Sequence, residues 1–149
     1  MDAERQIIGR KLSFIGAGNM AEALIKGILS AGVTTPANII ATDANPERLS
    51  WIRATYDIRT EAVNRRAVEQ TEVVLVCVKP RMVPHVLQEI GAALQVDQML
   101  ISIAAGVAIA QLEAGLAAAV PVVRAMPNTP AVVQRGVTAL APGTHAETH

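Results

Sequence analysis

The stretch from Lys11 to Gly32 constrains the fold more than any other part of the sequence. It joins a short apolar run, LSFI, to a turn, GAGNMA, that begins at Gly16. After the turn, apolar residues recur at a spacing of three and four, which predicts a helix from Asn19 to Ala31 with one buried face. A G-x-G-x-x-A pattern set between a strand and a helix is typical of a turn that binds the pyrophosphate of a dinucleotide.

The residue types in this turn fit that chemistry. Gly16 permits a tight turn, Gly18 lets the backbone approach a pyrophosphate, and Ala21 is small enough for the helix to pack on the sheet. The free N–H groups in the first turn of the helix would then hold the phosphates. The alternative is a strand-to-helix turn that binds no ligand.

Composition favours an aliphatic core and limits the possible partners. Of the 149 residues, 51% are hydrophobic and only 2% are aromatic, as is typical of a parallel sheet covered on both faces. Thirteen basic and thirteen acidic residues cancel, and with so few aromatic residues we expect no nucleic-acid partner. No apolar run is long enough to span a membrane, so we expect no membrane partner either.

Two features concern the cellular compartment. The N-terminal sequence MDAERQIIGRKL lacks the apolar centre of a signal peptide. Cys77 is the only cysteine, which excludes an internal disulfide. Together they favour a reducing, cytoplasmic location.

Strand-like and helix-like segments alternate along the chain. This order predicts a single α/β domain, a Rossmann-like parallel sheet with helices on both faces. We assign residues 1–10 to a lead-in, 11–141 to the domain and 142–149 to a tail. The predicted strands are 11–16, 38–42, 57–59, 73–78, 99–103, 121–126 and 136–140. The predicted helices are 19–31, 46–55, 64–70, one from residue 84, and 108–119.

Asp43 follows the second predicted strand, about 20 residues after the glycine turn. An acidic residue at this distance usually accepts hydrogen bonds from the adenosine ribose, which favours NAD over NADP. Asp43 could instead cap the following helix, although Asn45 is better placed for that role. Arg48, one turn into the helix, could meet the 2′-phosphate of NADP. The choice between NAD and NADP therefore stays open.

The carboxyl ends of later strands carry further candidates, since ligands of open α/β sheets bind there. Lys79 could reach a phosphate or a substrate carboxylate, or could be a solvated cation. Cys77, within an apolar run, is interpreted as a small buried hydrophobe. Ala104, Ala105 and the glycine after them would let a flat ring lie against the backbone, or would serve close packing.

A rigid loop follows the sixth predicted strand. Asn128 and Thr129 stand there between two prolines, where they could contact a substrate or hydrogen-bond within the loop. No three ligand-type residues cluster at metal spacing, so no metal site is predicted. Neither a nucleophile–base set nor a P-loop motif is present.

Four motifs occur in a characteristic order and spacing: FIGAGNMAEALIKG, VCVKP, SIAAGV and RAMPNTPAVVQRGVTAL. Together they resemble the N-terminal domain of pyrroline-5-carboxylate reductases, from about Lys11 to Pro142. The resemblance implies hydride transfer from NADPH or NADH to the C=N bond of 1-pyrroline-5-carboxylate, giving L-proline.

The resemblance also implies roles for individual residues. The pyrophosphate would lie at Ile15, Gly16, Ala17, Gly18, Asn19 and Met20. The adenosine half would contact Asp43 and Asn64. The path toward the nicotinamide would be lined by Cys77, Val78, Lys79, Pro80, Ile103, Ala104 and Ala105. Asp43 departs from members that carry a small hydroxyl residue there, and the family tolerates both cofactors.

Members of this family normally continue into a second, helical domain that forms an intertwined homo-oligomer and supplies the substrate pocket. Nothing in this sequence matches that domain, so residues 142–149 are expected to begin a linker to it. We therefore expect this chain to bind the cofactor and to turn over substrate poorly. Two alternatives remain: a non-catalytic nucleotide-binding module, and another reductase of the superfamily that acts on a hydroxy acid or a deazaflavin.

Overall fold

A computed structural model of the chain describes residues 9–127 and 138–146. The strands are β1 (Leu12–Ile15), β2 (Ile39–Thr42), β3 (Arg59–Glu61), β4 (Val73–Val76), β5 (Met99–Ser102), β6 (Val122–Pro127) and β7 (Thr138–Pro142). The helices are α1 (Asn19–Ser30), α2 (Pro46–Tyr56), α3 (Asn64–Val68), α4 (Val83–Ile90) and α5 (Ile109–Ala114). Short 3-10 turns occur at Pro36–Asn38 and Pro80–Met82.

The strands form one sheet in the order β3-β2-β1-β4-β5-β6-β7. Strands β1 to β6 pair in parallel, and β1 lies between β2 and β4. The strand order therefore reverses beside β1, at the point where doubly wound α/β proteins bind their ligands. The predicted Rossmann-like sheet is confirmed.

The last strand differs from the prediction of an all-parallel sheet, because β7 pairs antiparallel with β6. The connection 128–137 is shorter than the dozen or more residues that a parallel crossover requires. A direct return antiparallel to β6 is the pairing that such a connection permits.

Helices cover the two faces of the sheet unequally. On one face, α1 and α2 pack over β1 and β2, with Phe14, Ile25 and Ile52 at the centre of the cluster. On the other face, α3, α4 and α5 pack over β1, β4, β5 and β6, around a second cluster that contains Val76 and Leu100. The predicted helices on both faces are therefore present.

Most predicted element boundaries agree with the structure within two residues, and the largest difference is at the end of α5. The edge strand lies at Arg59–Glu61, because Asp57 adopts a left-handed conformation (φ 56°) that ends α2. The alanine-rich helix ends at Ala114, well before the predicted residue 119. Gly115 follows it and packs so closely on Leu87 that an added Cβ would lie 2.8 Å from Cδ1 of that side chain.

The close approach of α4 and α5 predicts a large effect for Gly91→Ala. A Cβ on Gly91 would overlap the backbone carbonyl oxygen of Gly115, which cannot rotate away. We expect a loss of about 3 kcal/mol in the free energy of unfolding, as for overpacked cores. Urea denaturation would measure it, with Gly27→Ala as the control, since no atom lies within 4 Å of a Cβ there. A loss below about 1 kcal/mol would contradict the close packing.

Candidate functional site

The turn between β1 and α1 lies against the end of β4. Gly16 has φ of 96° and donates its N–H to the carbonyl of Thr42 at 3.0 Å. A Cβ on Gly16 would lie 3.0 Å from Cγ1 of Val78 and 3.1 Å from the carbonyl carbon of Cys77. Both the backbone conformation and the close approach therefore require glycine at this position.

Gly18 has a different environment. It precedes the first residue of α1 in an extended conformation (φ −75°, ψ −169°) that any residue can adopt. A Cβ added there would meet no protein atom within 4 Å. Among the described residues, no side chain caps the N-terminus of this helix. The glycine therefore keeps open the space in front of the free N–H groups of α1, where a phosphate would bind.

The remaining residues of the turn differ in their exposure to solvent. Ile15 and Ala17 are fully buried, and Ala21 packs in the core beneath the turn. Asn19 is exposed and Met20 is half-buried at the first two positions of α1. The structure thus places the predicted pyrophosphate residues at one edge of the sheet, with open space beside Gly18.

Asp43 lies beside this turn at the end of β2. Its Oδ2 accepts the N–H of Ala17 at 2.9 Å, and its Oδ1 accepts the N–H of Asn45 at 2.9 Å. Asn45 is the residue that caps α2, because its side chain accepts the N–H groups of Glu47 and Arg48. The helix cap therefore belongs to Asn45, and Asp43 joins the end of β2 to the glycine turn.

Arg48 reaches the same turn from α2. Its Nε donates to the carbonyl of Ala17 at 2.6 Å, and its Nη2 lies 2.7 Å from Oε2 of Glu22. The guanidinium group stacks over the Trp51 ring, 4.7 Å from its centroid. Tyr56 donates its hydroxyl to Oε1 of Glu22 at 2.8 Å. We call Glu22, Arg48, Trp51 and Tyr56 the arginine cluster.

No pattern in the sequence predicted the arginine cluster. Spacing within α1 pairs Glu22 with Lys26, whereas the structure pairs Glu22 with Arg48 from another helix. No local pattern links the two residues. The available signal is topological: α1 and α2 follow adjacent parallel strands, so their first turns lie at the same edge of the sheet.

The cluster determines the ionisation of Glu22. Burial alone would raise the pKa of Glu22, but hydrogen bonds from Arg48 and Tyr56 and the charges of Arg48 and Lys26 together hold the pKa below its ordinary value. The pKa of Tyr56 is raised by burial and by its bond to Glu22. The pKa of Glu22 is therefore lower in the folded chain than in the unfolded chain. Its contribution to stability is present at pH values above the unfolded-state pKa and is lost as pH falls through the folded-state pKa.

Asn64 is the first residue of α3 and lies next to the end of β2. Its side-chain oxygen accepts the hydroxyl of Thr42 at 2.6 Å, and its amide nitrogen donates to Glu89 of α4. His85 lies 3.1 Å from the other oxygen of Glu89. The structure thus bonds Asn64 to the residue that precedes Asp43 in the chain, with its amide held between β2 and α4.

The residues after β4 separate into a half-buried pair, Cys77 and Val78, and an exposed pair, Lys79 and Pro80. Cys77 packs against the core beneath α1, and Val78 packs against the core on the other face. Cys77 donates its backbone N–H to the carbonyl of Ile15 at 2.8 Å. Lys79 and Pro80 are exposed and lead into the 3-10 turn. A ligand here would meet backbone and the exposed pair rather than the thiol.

The residues after β5 continue this edge. Ile103 donates its N–H to the carbonyl of Val76 at 3.1 Å, which ties the end of β5 to β4. Ala104 is buried and hydrogen-bonds through its N–H to the hydroxyl of Ser102 at 3.3 Å. Ala105 is exposed. These predicted residues lie along the same edge as the glycine turn, whereas Asn128 and Thr129 fall outside the described residues.

The Cys77 thiol is expected to be unreactive in the folded protein. Burial raises the pKa of Cys77 to about 12, and the thiolate is the reactive form. At pH 8 we expect alkylation by iodoacetamide to be at least about 100-fold slower than in the unfolded chain. Equal rates with and without denaturant would show an accessible thiol.

The raised pKa of Cys77 also makes stability depend on pH. Because the thiol has a higher pKa in the folded chain than in the unfolded chain, its contribution to the free energy of unfolding declines as pH rises from about 9 toward 12.

No group of three or more His, Cys, Asp or Glu side chains in residues 9–127 and 138–146 is arranged to hold a metal ion. None of the helices in these ranges has both the length and the hydropathy of a membrane span.

Comparison with known proteins adds a family to this geometry. A family model described as NADP oxidoreductase, coenzyme F420-dependent, matches residues 11–106. The chain belongs to this family. The matched region runs from β1 to the turn after β5 and contains the glycine turn, Asp43 and the ends of β4 and β5.

Similar individual proteins confirm the predicted resemblance. Pyrroline-5-carboxylate reductase of Pseudomonas aeruginosa is 42% identical over 130 residues, which cover 87% of this chain and 47% of that protein. The structure of a pyrroline-5-carboxylate reductase from Coxiella burnetii is 31% identical with a TM-score of 0.86, covering 92% of this chain and 51% of that one. The Plasmodium falciparum enzyme with NADP bound is 27% identical with a TM-score of 0.79, covering 91% and 48%. The chain spans about half the length of these relatives.

Proposed function

We propose that this chain binds NADH or NADPH along the carboxyl edge of the sheet and supplies the hydride-donor half of a reductase site. The pyrophosphate would lie on the turn from Ile15 to Met20, the adenosine ribose beside Asp43 and near Asn64, and the nicotinamide toward Ile103–Ala105. The space at Gly18, in front of the uncapped N-terminus of α1, is the observation that carries this proposal. The reversal of strand order beside β1 supports it.

The reaction we propose is reduction of the C=N bond of 1-pyrroline-5-carboxylate to L-proline. Relatives named for this activity align with about nine-tenths of the chain. When bound, the cofactor supplies the hydride. The chain's own residues bind the phosphates, hold the ribose and position the nicotinamide. Asn128 and Thr129 are the proposed contacts toward the substrate.

Only about half the length of the relatives corresponds to this chain, so we propose that full activity needs a second, helical domain. In this proposal, residues 142–149 begin the connection to it. Residues Gly143 to Ala146 fold back onto α5, where Thr144 donates its N–H to Oε1 of Glu113 at 2.7 Å. A homo-oligomer and a cytoplasmic location belong to the same proposal.

Titration of the chain with NADH and NADPH tests cofactor binding. Trp51 is the only tryptophan and lies in the arginine cluster, so its fluorescence should fall as the reduced nicotinamide binds and accepts its energy. We expect saturable binding with a Kd on the order of micromolar. Addition of 1-pyrroline-5-carboxylate should cause little oxidation of the bound cofactor. Absence of binding at millimolar cofactor would overturn the proposal, and rapid oxidation would overturn the need for a second domain.

The description of the matching family favours one second candidate, hydride transfer between NADP and the deazaflavin coenzyme F420. The same turn would bind the nicotinamide cofactor, and only the other hydride partner would differ. The pyrroline-5-carboxylate reductases match a longer part of the chain than the family model does, which supports the first candidate. Reduction of F420 by NADPH in the presence of the chain would favour the second.

A further inference from the structure

Ala17 lies between two opposite charges. Its N–H is bound by the carboxylate of Asp43, and its carbonyl is bound by the guanidinium group of Arg48. An acidic residue at the end of the second strand usually accepts from the ribose 2′-hydroxyl. The group at the 2′ position would therefore lie beside Asp43 and close to Arg48, because both side chains bind the backbone of Ala17. A 2′-phosphate would be subject to both charges.

Asp43 is held in place on the ribose side. Both of its oxygens accept backbone N–H groups, one from Ala17 and one from Asn45. The carboxylate cannot turn away from the 2′ position without losing a hydrogen bond to a charged acceptor. Its negative charge disfavours a phosphate there.

Arg48 is the charge that could offset Asp43, but it is already paired. Its Nε is bound to Ala17, its Nη2 to Glu22, and its plane is stacked on Trp51. Glu22 is in turn held by the hydroxyl of Tyr56. The side chains of Arg48 and Glu22 are each only about one-quarter exposed, at 24% and 25%, so solvent screens the pair incompletely.

We infer that Glu22 is a positioning residue that makes the site prefer NADH to NADPH by neutralising Arg48. This inference rests on the proposed binding of NAD(P)H. With Glu22 present, Asp43, Arg48 and Glu22 carry one net negative charge around the 2′ position. Without the Glu22 charge, Arg48 would balance Asp43 and offer its positive charge to a 2′-phosphate.

The variant Glu22→Gln tests this by removing the charge while keeping the size and the hydrogen-bond acceptor. The Kd values of NADH and NADPH are measured separately at low ionic strength by Trp51 fluorescence. We expect NADPH affinity to rise about five- to tenfold relative to NADH, since one charge is removed at a partly solvated site. NADH affinity should change by less than about threefold, because NADH carries no charge at the 2′ position.

The variant Arg48→Gln should move the preference in the opposite direction, toward NADH. It leaves two negative charges and no positive one beside the 2′ position. The double variant Glu22→Gln/Arg48→Gln should lose the gain in NADPH affinity. These variants separate an effect of charge from an effect on folding, because a structural defect would weaken the binding of both cofactors together. Arg48→Gln also keeps the test decisive if Glu22→Gln does not fold.

The outcomes distinguish this inference from the proposed function. If the unmodified chain binds both cofactors and the ratio of their Kd values stays within about twofold in Glu22→Gln and Arg48→Gln, the inference is wrong and the proposed site stands. Equal weakening of both cofactors would assign Glu22 a purely structural role and would also overturn it. If the unmodified chain binds neither cofactor, the proposed function itself fails.

Discussion

Replacing Gly18 by valine is expected to lower the affinity for NADH and NADPH by about 100-fold or more, while the free energy of unfolding changes by less than about 1 kcal/mol. The valine side chain would occupy the space in front of the N-terminus of α1. No protein atom lies within 4 Å of the added Cβ, and the extended backbone accepts any residue. The substitution therefore removes only the room for a pyrophosphate.

A graded series makes this prediction sharper. Gly18→Ala should weaken binding less than Gly18→Val, because its side chain fills less of the space. Gly27→Ala is the matched control: it lies in α1, has equally open surroundings and is remote from the turn. Fluorescence titration measures affinity and urea denaturation measures stability. Unchanged affinity in Gly18→Val would remove the basis for the site, and a large loss of stability would show that the surroundings are not open.

The sequence predicted the site best where one local rule decides the structure. The strand, glycine turn and helix could be found because each has its own pattern, and the Asn45-Pro46 pair marked the start of α2. Helix α5 ends earlier than its alanine-rich sequence predicts, because alanine propensity favours a longer helix than the packing of Gly115 on Leu87 allows. Tertiary packing overrode local preference there.

Electrostatic contacts between different helices and strands could not be predicted from the sequence. Arg48 was a candidate for a 2′-phosphate because a basic residue near the end of β2 often has that role. Its pairing with Glu22 depends on how the first turns of α1 and α2 are placed, and this is set by the sheet. The charge around the ribose site therefore follows from the fold, not from any motif.

Gly16→Ala is expected to cost about 2–3 kcal/mol in the free energy of unfolding and to weaken cofactor binding as well. Gly16 has φ of 96°, and its added Cβ would lie 3.0 Å from Val78 and 3.1 Å from the Cys77 carbonyl oxygen. Either the turn or the end of β4 must shift, and both lie at the proposed cofactor site. The two glycines of one motif should thus behave differently, since Gly16 serves folding and Gly18 serves the ligand.

Gly32→Ala separates the two causes of this loss. Gly32 also has positive φ, 66°, but no atom lies within 4 Å of its added Cβ, and it follows α1 at the opposite end from the turn. Gly32→Ala should therefore lower the free energy of unfolding only by the cost of the strained backbone, about 1 kcal/mol, and should leave cofactor affinity unchanged. The difference in unfolding free energy between Gly16→Ala and Gly32→Ala measures the close approach of the turn to β4. If Gly16→Ala and Gly32→Ala lose equal unfolding free energy, the close approach of the turn to β4 does not explain the glycine at position 16. Only the backbone conformation then explains it.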